Sequence, residues 1–108
     1  MGLKAITPAV LQQMVRDRPV SLFDVNAQHS WSKARVPGAR RIDHARFSEV
    51  DLPVDRRAAL VFYCSNPLCS KAPLAARRAE RMGYLDVRVM PAGISGWIAS
   101  GLPVESGD

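Results

Sequence analysis

The alternation of apolar and polar residues along the chain predicts short strands separated by helices. Residues 20–25, 59–64 and 86–90 are apolar runs with the length and composition of buried strands. Segments with helical spacing of apolar residues lie between these runs. This alternation indicates an α/β fold, in which a central parallel sheet carries helices on both faces. The 108 residues are enough for one compact domain and too few for two, so the predicted domain spans residues 1–108.

Helix boundaries are marked by capping residues, prolines and glycines. The first helix follows Thr7, a candidate N-cap, and Pro8 suits its first position. Ser70 is the candidate cap of a second helix over residues 71–82, and Gly83 suits the position after its end. The shorter predicted helices span residues 28–34 and 94–100.

The two cysteines of the chain stand together at one predicted strand-to-helix junction. Cys64 ends the most apolar strand, and Cys69 lies just before the helix that begins near Ser70. Ligands of open α/β sheets bind at the carboxyl ends of strands, and a helix N-terminus directs N–H groups at an anion. Cysteines in such places have thiol pKa values lowered from about 8.5 to about 3.5–7.5. We therefore predict that Cys64 is an ionised nucleophile, and a buried structural thiol is the alternative.

The charged residues of the chain indicate which kinds of macromolecule it could bind. Fifteen Lys and Arg against ten Asp and Glu give a net charge of +5. The few aromatic residues are not interleaved with the arginines as a nucleic-acid stacking platform requires, so we predict no nucleic-acid binding. The basic cluster of Arg77, Arg78 and Arg81 is most simply a solvated helix face. If it is functional, it would dock an acidic partner protein.

The N-terminal residues and the length of the apolar runs are used to predict where in the cell the protein is located. No apolar run approaches the length of a membrane span, and the N-terminus lacks the apolar segment of a signal peptide. Met1 and Gly2 suit myristoylation, but Ile6 stands where that motif needs Ser or Thr. We therefore predict a cytoplasmic protein with no membrane partner.

A metal site is a poor interpretation of the cysteines. The four-residue gap between Cys64 and Cys69 lies at the edge of the usual zinc-ligand spacing. His29 and His44 do not form a pair with ligand spacing and are expected to be surface or packing residues. We predict no metal and no organic cofactor.

The order and spacing of several short motifs resemble the rhodanese (sulfurtransferase) domain over nearly the whole chain. The catalytic cysteine of that family follows a strand such as VVYC, and residues 61–64 here read VFYC. The family's Gly-His-Ile-Pro-Gly-Ala turn is similar to Ala-Arg-Val-Pro-Gly-Ala at residues 34–39. Further matches lie at residues 24–26, 83–84, 87–89, 92–97 and 101–104. The resemblance implies a rhodanese-like fold with Cys64 as the catalytic cysteine.

The same resemblance implies a sulfurtransferase. Such an enzyme moves a sulfane sulfur from a small anionic donor such as thiosulfate to a thiol or cyanide, through a persulfide on Cys64. Inward N–H groups would stabilise the negative charges. The residues expected to bind the substrate are Ser65, Asn66, Leu68, Cys69, Ser70, Lys71 and Arg35.

The chain departs from the family pattern in the active loop. Many members carry Arg or Lys five residues after the nucleophile, where this chain has Cys69. The substrate charge must then be met by backbone N–H groups, or by Lys71, Arg35 or another nearby basic residue. Cys69 could attack the persulfide, release sulfide and leave a disulfide, or it could be a small buried residue facing the helix. Asn26 and Ser30 also replace an Arg and a Glu, which removes a structural ion pair and leaves the chemistry intact.

Other functions stay open, because fold does not fix function. Phosphatase or arsenate reductase chemistry on related folds uses a Cys-x5-Arg loop, which would need Arg at the position of Ser70. A non-catalytic binding module or a thiol redox sensor would use Cys64 and Cys69 as a switch. Persulfide formation separates the enzyme from these alternatives.

Overall fold

A parallel β-sheet runs through the centre of the computed structural model, which describes residues 3–108. Met1 and Gly2, at which the sequence argues against myristoylation, lie outside that range. Within this range the strands are β1 (Lys4–Ala5), β2 (Ser21–Asp24), β3 (Arg40–Arg41), β4 (Ala59–Tyr63) and β5 (Asp86–Val89). Their order across the sheet is β1–β5–β4–β2–β3, and each neighbouring pair is parallel.

Four helices join these strands at positions close to the predicted ones. They are α1 (Pro8–Asp17), α2 (Gln28–Lys33), α3 (Lys71–Arg81) and α4 (Gly93–Ala99), and a 3₁₀ turn spans Glu49–Asp51. The strands β1 and β3 were not predicted, because two residues are too few to show an alternating pattern. Within the described range, no helix has the length and apolar character needed to cross a membrane.

The helix ends confirm two of the three predicted capping features. The Thr7 hydroxyl oxygen accepts a hydrogen bond from Val10 N at 3.2 Å, with Pro8 at the first helical position. Gly83 follows the C-cap of α3, as predicted. The capping role predicted for Ser70 is wrong: its backbone is already helical, with φ −94° and ψ −4°, and its side chain makes no capping hydrogen bond. An N-cap side chain needs an extended backbone to reach back to the first N–H groups.

The two faces of the sheet are packed by different helices, which confirms the predicted layers. Leu60, Phe62 and Cys64 alternate onto the face covered by α3. Val61 and Tyr63 lie on the opposite face with side chains of α1 and α4. Full burial of a Leu or Phe side chain contributes about 1.5–3 kcal/mol, so this central strand stabilises the fold strongly. The face of α3 against the sheet consists of small side chains that allow close approach: Ala72, Ala75, Ala76 and Ala79.

A buried carboxyl group ends the neighbouring strand β2. Asp24 is fully buried, and its Oδ1 accepts a hydrogen bond from Asn26 N at 2.8 Å. Burial raises the pKa of Asp24, while hydrogen bonds from Tyr63 and Asn26 oppose that rise. The Tyr63 hydroxyl oxygen in turn accepts from Val36 N at 3.0 Å. Among the described residues, Asp24 Oδ2 has no hydrogen-bond partner, so the carboxylate is only half satisfied.

The raised pKa of Asp24 predicts the direction in which the free energy of unfolding changes with pH. Because the folded state holds this proton more tightly than the unfolded state, wild type loses stability as pH rises from about 3.9 through the raised pKa. In Asp24→Asn this loss is absent, so the variant's unfolding free energy relative to wild type should increase over that interval, by at most about 1.4 kcal/mol per pH unit. Urea unfolding of both proteins across the acidic range measures the difference. A difference that stays constant with pH would contradict the assignment.

Candidate active site

Cys64 lies at the carboxyl end of the central strand, directly after β4. Its side chain is 3% exposed and packs on the face covered by α3. Two hydrogen bonds from the start of α4 hold the backbone at this point: Ile94 N donates to Cys64 O at 2.9 Å, and Ser95 N donates to Ser65 O at 3.0 Å. The Ser95 hydroxyl also donates to Ser65 O, at 2.9 Å. The base of the loop is therefore fixed by residues that come about thirty positions later in the chain.

Gly93 permits this close approach of α4. Its φ is +66°, and a Cβ atom there would lie 2.5 Å from Ser65 C and 2.7 Å from Cys64 O. Such distances are well inside van der Waals contact, so only glycine fits without moving the loop. The sequence predicts a helix from residue 94, directly after Gly93, but no local pattern links Gly93 to the cysteine loop.

The loop between the cysteines is organised by Asn66. Its side-chain Oδ1 accepts from Leu68 N at 2.9 Å, and its carbonyl oxygen accepts from Cys69 N at 3.1 Å. These two N–H groups are therefore used inside the loop. The Leu68 side chain is 95% exposed at the tip. Asn66 thus shapes the loop, and Leu68 is its most accessible part.

The two cysteine sulfurs lie side by side inside the loop. The Cys64 thiol donates to the carbonyl oxygen of Cys69 at 3.5 Å, and the Cys69 thiol is near enough to affect the pKa of Cys64. Backbone N–H groups of Ser65 and Ala72 reach the Cys64 sulfur, and those of Ser65 and Lys71 reach Cys69. Both thiols are free. The arrangement is a concave set of donors around sulfur, which favours negative charge there.

The ionisation of the two thiols differs from the prediction. Burial raises the pKa of the Cys64 thiol to about 11, the hydrogen bond to Cys69 adds to the rise, and the N–H groups of Ala72 and Ser65 oppose it. Burial also disfavours ionisation of Cys69. There, hydrogen bonding from Cys64 and from Lys71 N outweighs burial and lowers the pKa. The lowered pKa predicted for Cys64 is therefore wrong, and the more acidic sulfur of this coupled pair is Cys69.

A buried polar chain links the loop to strand β2. The Ser65 hydroxyl donates to Asn26 Oδ1 at 2.6 Å, and Asn26 N donates to Asp24. Asn26 is 4% exposed, and its Nδ2 has no partner within residues 3–108. In the sequence, these linked hydrogen bonds were indicated by two polar residues, Asp24 and Asn26, at the carboxyl end of a predicted buried strand.

The predicted substrate-binding residues divide into those at the loop and one that lies elsewhere. Lys71 begins α3 beside Cys69, and its ammonium charge helps to lower the pKa of that thiol. Arg35 makes its hydrogen bonds outside the loop, and its role in substrate binding stays a prediction. Its guanidinium donates to the carbonyl oxygens of Trp31 at 3.2 Å and Gly107 at 2.6 Å, so the charge is occupied by the C-terminal tail. Ser65, Asn66, Leu68, Cys69 and Ser70 all belong to the loop.

The basic cluster on α3 is only partly a solvated face. Arg77 and Arg81 are exposed, as predicted. Arg78 is half-buried, its Nε donates to Phe47 O at 2.9 Å, and its guanidinium lies over the Phe47 ring. The prediction of a solvated side chain is therefore wrong for Arg78. An acidic partner for the other two stays a prediction.

The histidines lie apart from the cysteine loop. His29 is exposed on α2, and His44 is half-buried in a turn after β3. In the part of the chain that the structure describes, no three His, Cys, Asp or Glu side chains are grouped to hold a metal ion.

Known proteins share both the sequence pattern and the fold. The family model of the rhodanese-like domain matches residues 7–100. The thiosulfate sulfurtransferase GlpE from Actinobacillus succinogenes is 28% identical over 106 residues, which are 98% of this chain and 94% of that protein.

Solved structures agree on the architecture. The BH2092 protein from Bacillus halodurans has a TM-score of 0.85 at 21% identity, over 95% of this chain and 77% of that chain. A thiosulfate sulfurtransferase from Pseudomonas aeruginosa has a TM-score of 0.84 at 24% identity, over 98% of this chain and 20% of that chain. These likenesses show a shared fold.

The contact at Gly93 gives a prediction with a matched control. Gly93→Ala forces a left-handed alanine against the Ser65 backbone, so the free energy of unfolding should fall by about 3 kcal/mol. Gly101→Ala has a similar φ of +75° but open space around it, so its loss should be about 1–2 kcal/mol. Urea unfolding measures both variants. Equal losses would show that the loop contact adds nothing.

The ionisation of the thiols predicts the order of their alkylation. At about pH 7, iodoacetamide should label Cys69 about tenfold or more faster than Cys64, because Cys69 is more exposed and more acidic. Labelling of Cys64 should rise only in strongly alkaline solution, toward its pKa of about 11. Peptide mass spectrometry after timed quenching gives both rates. Urea-denatured protein is the control in which the two should react alike, and faster labelling of Cys64 in the folded protein would contradict the assignment.

Proposed function

This chain belongs to the rhodanese-like domain family, and we propose that it is a sulfurtransferase whose Cys64 carries the transferred sulfur as a persulfide. The observation that carries the proposal is the set of backbone N–H groups, from Ser65 and Ala72, that reach the Cys64 sulfur at the carboxyl end of β4. The thiosulfate sulfurtransferase relative supports the class of donor.

The first step takes sulfur from the donor. The Cys64 sulfur attacks the outer sulfur of thiosulfate, a bond forms between these two sulfurs, and the donor's sulfur–sulfur bond breaks. Sulfite leaves with the electron pair of that bond. The proton of the Cys64 thiol passes to the neighbouring Cys69 thiolate, which is the more basic partner once Cys64 has reacted. A buried thiol with a raised pKa thus becomes a nucleophile without exchanging a proton with water.

The loop binds the anionic donor through dipoles and one nearby charge. The N–H groups of Ser65, Lys71 and Ala72 converge on the sulfurs, and the Lys71 side chain lies beside Cys69. Such fixed donors stabilise charge in the transition state without reorganising. They take the place of the Arg or Lys that many family members carry in the loop.

The second step gives the sulfur to an acceptor. A thiolate or cyanide attacks the terminal sulfur of the persulfide, the bond from that sulfur to Cys64 breaks, and Cys64 recovers a proton from Cys69. The two displacements replace one difficult reaction by two easier ones. The fully exposed tip at Leu68 leaves the loop open to an acceptor.

A thiol redox sensor is the second candidate, and one observation favours it. Cys64 and Cys69 are both free, and the Cys64 sulfur lies 3.5 Å from the Cys69 carbonyl oxygen, which brings the two residues close together for oxidation to a disulfide. A sensor would form that disulfide with an oxidant and would release no sulfite from thiosulfate.

Cys64→Ser tests the proposed function. Wild type incubated with thiosulfate should release sulfite, and addition of cyanide should give thiocyanate. Cys64→Ser should lose this turnover by at least about a thousandfold, because the nucleophile is gone. Leu85→Ser is the matched control: that side chain is 73% exposed at the opposite end of the sheet, and its activity should equal wild type.

Two results would contradict the proposal. One is sulfite release by Cys64→Ser at the wild-type rate. The other is a wild type that forms neither sulfite nor a persulfide from thiosulfate, mercaptopyruvate or a low-molecular-weight persulfide. The second result, together with reversible disulfide formation by peroxide, would favour the redox sensor.

A further inference from the structure

Cys69 is the group placed to react with a persulfide on Cys64. The Cys64 thiol donates to the Cys69 carbonyl oxygen at 3.5 Å, and the two thiols are near enough for each to shift the pKa of the other. Cys69 is half-buried at the rim of the loop, whereas Cys64 is 3% exposed. Any species formed on the Cys64 sulfur therefore has a second sulfur nucleophile in contact with it.

We propose, on the basis of the sulfur transfer described above, that Cys69 resolves the Cys64 persulfide by attacking its inner sulfur, which releases hydrosulfide and leaves a Cys64–Cys69 disulfide. The protein would then produce free sulfide from a sulfane-sulfur donor, in addition to passing sulfur directly to an external acceptor. The resolving role gives Cys69 a chemical function at the position where the resemblance implies a substrate-binding base.

The step balances without an outside oxidant. A bond forms between the sulfurs of Cys69 and Cys64, and the bond between Cys64 and the terminal sulfur breaks. The terminal sulfur leaves with the electron pair and takes the proton of the Cys69 thiol, so it departs as hydrosulfide. The sulfane sulfur gains two electrons, and the two cysteine sulfurs lose them.

Contact decides which sulfur Cys69 attacks. The 3.5 Å contact between the Cys64 sulfur and the Cys69 carbonyl oxygen places Cys69 against the sulfur that Cys64 itself contributes, which becomes the inner sulfur of the persulfide. The N–H groups of Ser65 and Ala72 reach the same site and stabilise the charge that develops on the departing sulfur.

The acidity of the leaving group also favours attack by Cys69 on the inner sulfur of the persulfide. Thiol–disulfide displacement is faster when the leaving sulfur belongs to the stronger acid. Attack on the terminal sulfur would expel the Cys64 thiolate, and burial raises the pKa of that thiol to about 11. Attack on the inner sulfur expels hydrosulfide, the anion of a stronger acid. The lowered pKa of Cys69 also increases its thiolate fraction.

The disulfide product places the protein in a reaction sequence. A reaction that supplies a sulfane-sulfur anion must precede it, and a dithiol reductant must restore the two thiols before another turnover. Sulfide production should therefore depend on a dithiol, whereas transfer to cyanide should not.

The experiment follows one turnover in the absence of oxygen, so that only the donor can oxidise the thiols. Reduced full-length wild type, Cys69→Ser, Cys69→Ala and Cys64→Ser are mixed with thiosulfate, and sulfite, sulfide and the intact non-reduced mass are recorded. Wild type should release sulfite and sulfide in equal amounts, and its mass should fall by two hydrogen atoms. Both Cys69 variants should release sulfite more slowly than wild type, because the thiolate that accepts the Cys64 proton is gone, but they should retain one added sulfur atom and form no sulfide. Cys64→Ser should release neither product.

Each outcome separates this inference from the proposed function. Wild type that releases sulfite but keeps the added sulfur, with Cys69 still open to alkylation, overturns the resolving role and leaves the sulfurtransferase intact. Sulfide release by Cys69→Ser and Cys69→Ala at the wild-type level has the same meaning. Absence of sulfite from wild type and both Cys69 variants overturns the sulfurtransferase and the resolving role together. Peptide mapping that places the disulfide between Cys64 and Cys69 within one chain completes the expected result.

Discussion

The hydrogen bonds from α4 to the end of β4 fix the orientation of the cysteine loop. A trans peptide directs its C=O and N–H to opposite sides. Because the Cys64 carbonyl points at Ile94 N, the N–H of Ser65 in the same peptide points the other way, toward the two sulfurs. Gly93 makes this arrangement possible, because any larger residue would collide with the Ser65 backbone. The electrostatic character of the loop therefore depends on a contact with another helix.

Periodicity predicted the elements that carry this contact but not the contact itself. β4 and α3 were found within one residue of their observed ends, because a long apolar run and a helical stripe of alanines are local features. The approach of α4 joins residues about thirty positions apart, and no pattern within a short window encodes such a distance. The two-residue strands β1 and β3 were missed for a related reason: they exist only because β5 and β2 pair with them.

The incorrect pKa prediction at the site, and the contacts of Arg35 that no local pattern indicated, both have their origin in tertiary packing. A helix N-terminus after Cys64 correctly predicted N–H groups around sulfur, but the pKa of Cys64 is raised because α3 and the sheet bury it. Burial depends on tertiary packing, and so local motif reasoning assigned the lowered pKa to the wrong cysteine. Arg35 was expected near the substrate because its position matches a turn of the family. Its guanidinium instead bonds to Gly107, a partner about seventy positions away in sequence.

Replacement of a basic residue by Cys69 changes how the loop manages charge. An arginine would add a fixed positive charge beside the donor. Cys69 adds a group that gains and loses a proton, and in the proposed mechanism its proximity to Cys64 lets one proton move between the two sulfurs as the reaction proceeds. In the proposed mechanism, that proton leaves Cys64 when the persulfide forms and leaves Cys69 when hydrosulfide departs. The total charge inside the loop then changes only as anions enter and leave, so a nucleophile that is 3% exposed needs no water molecule to complete either step.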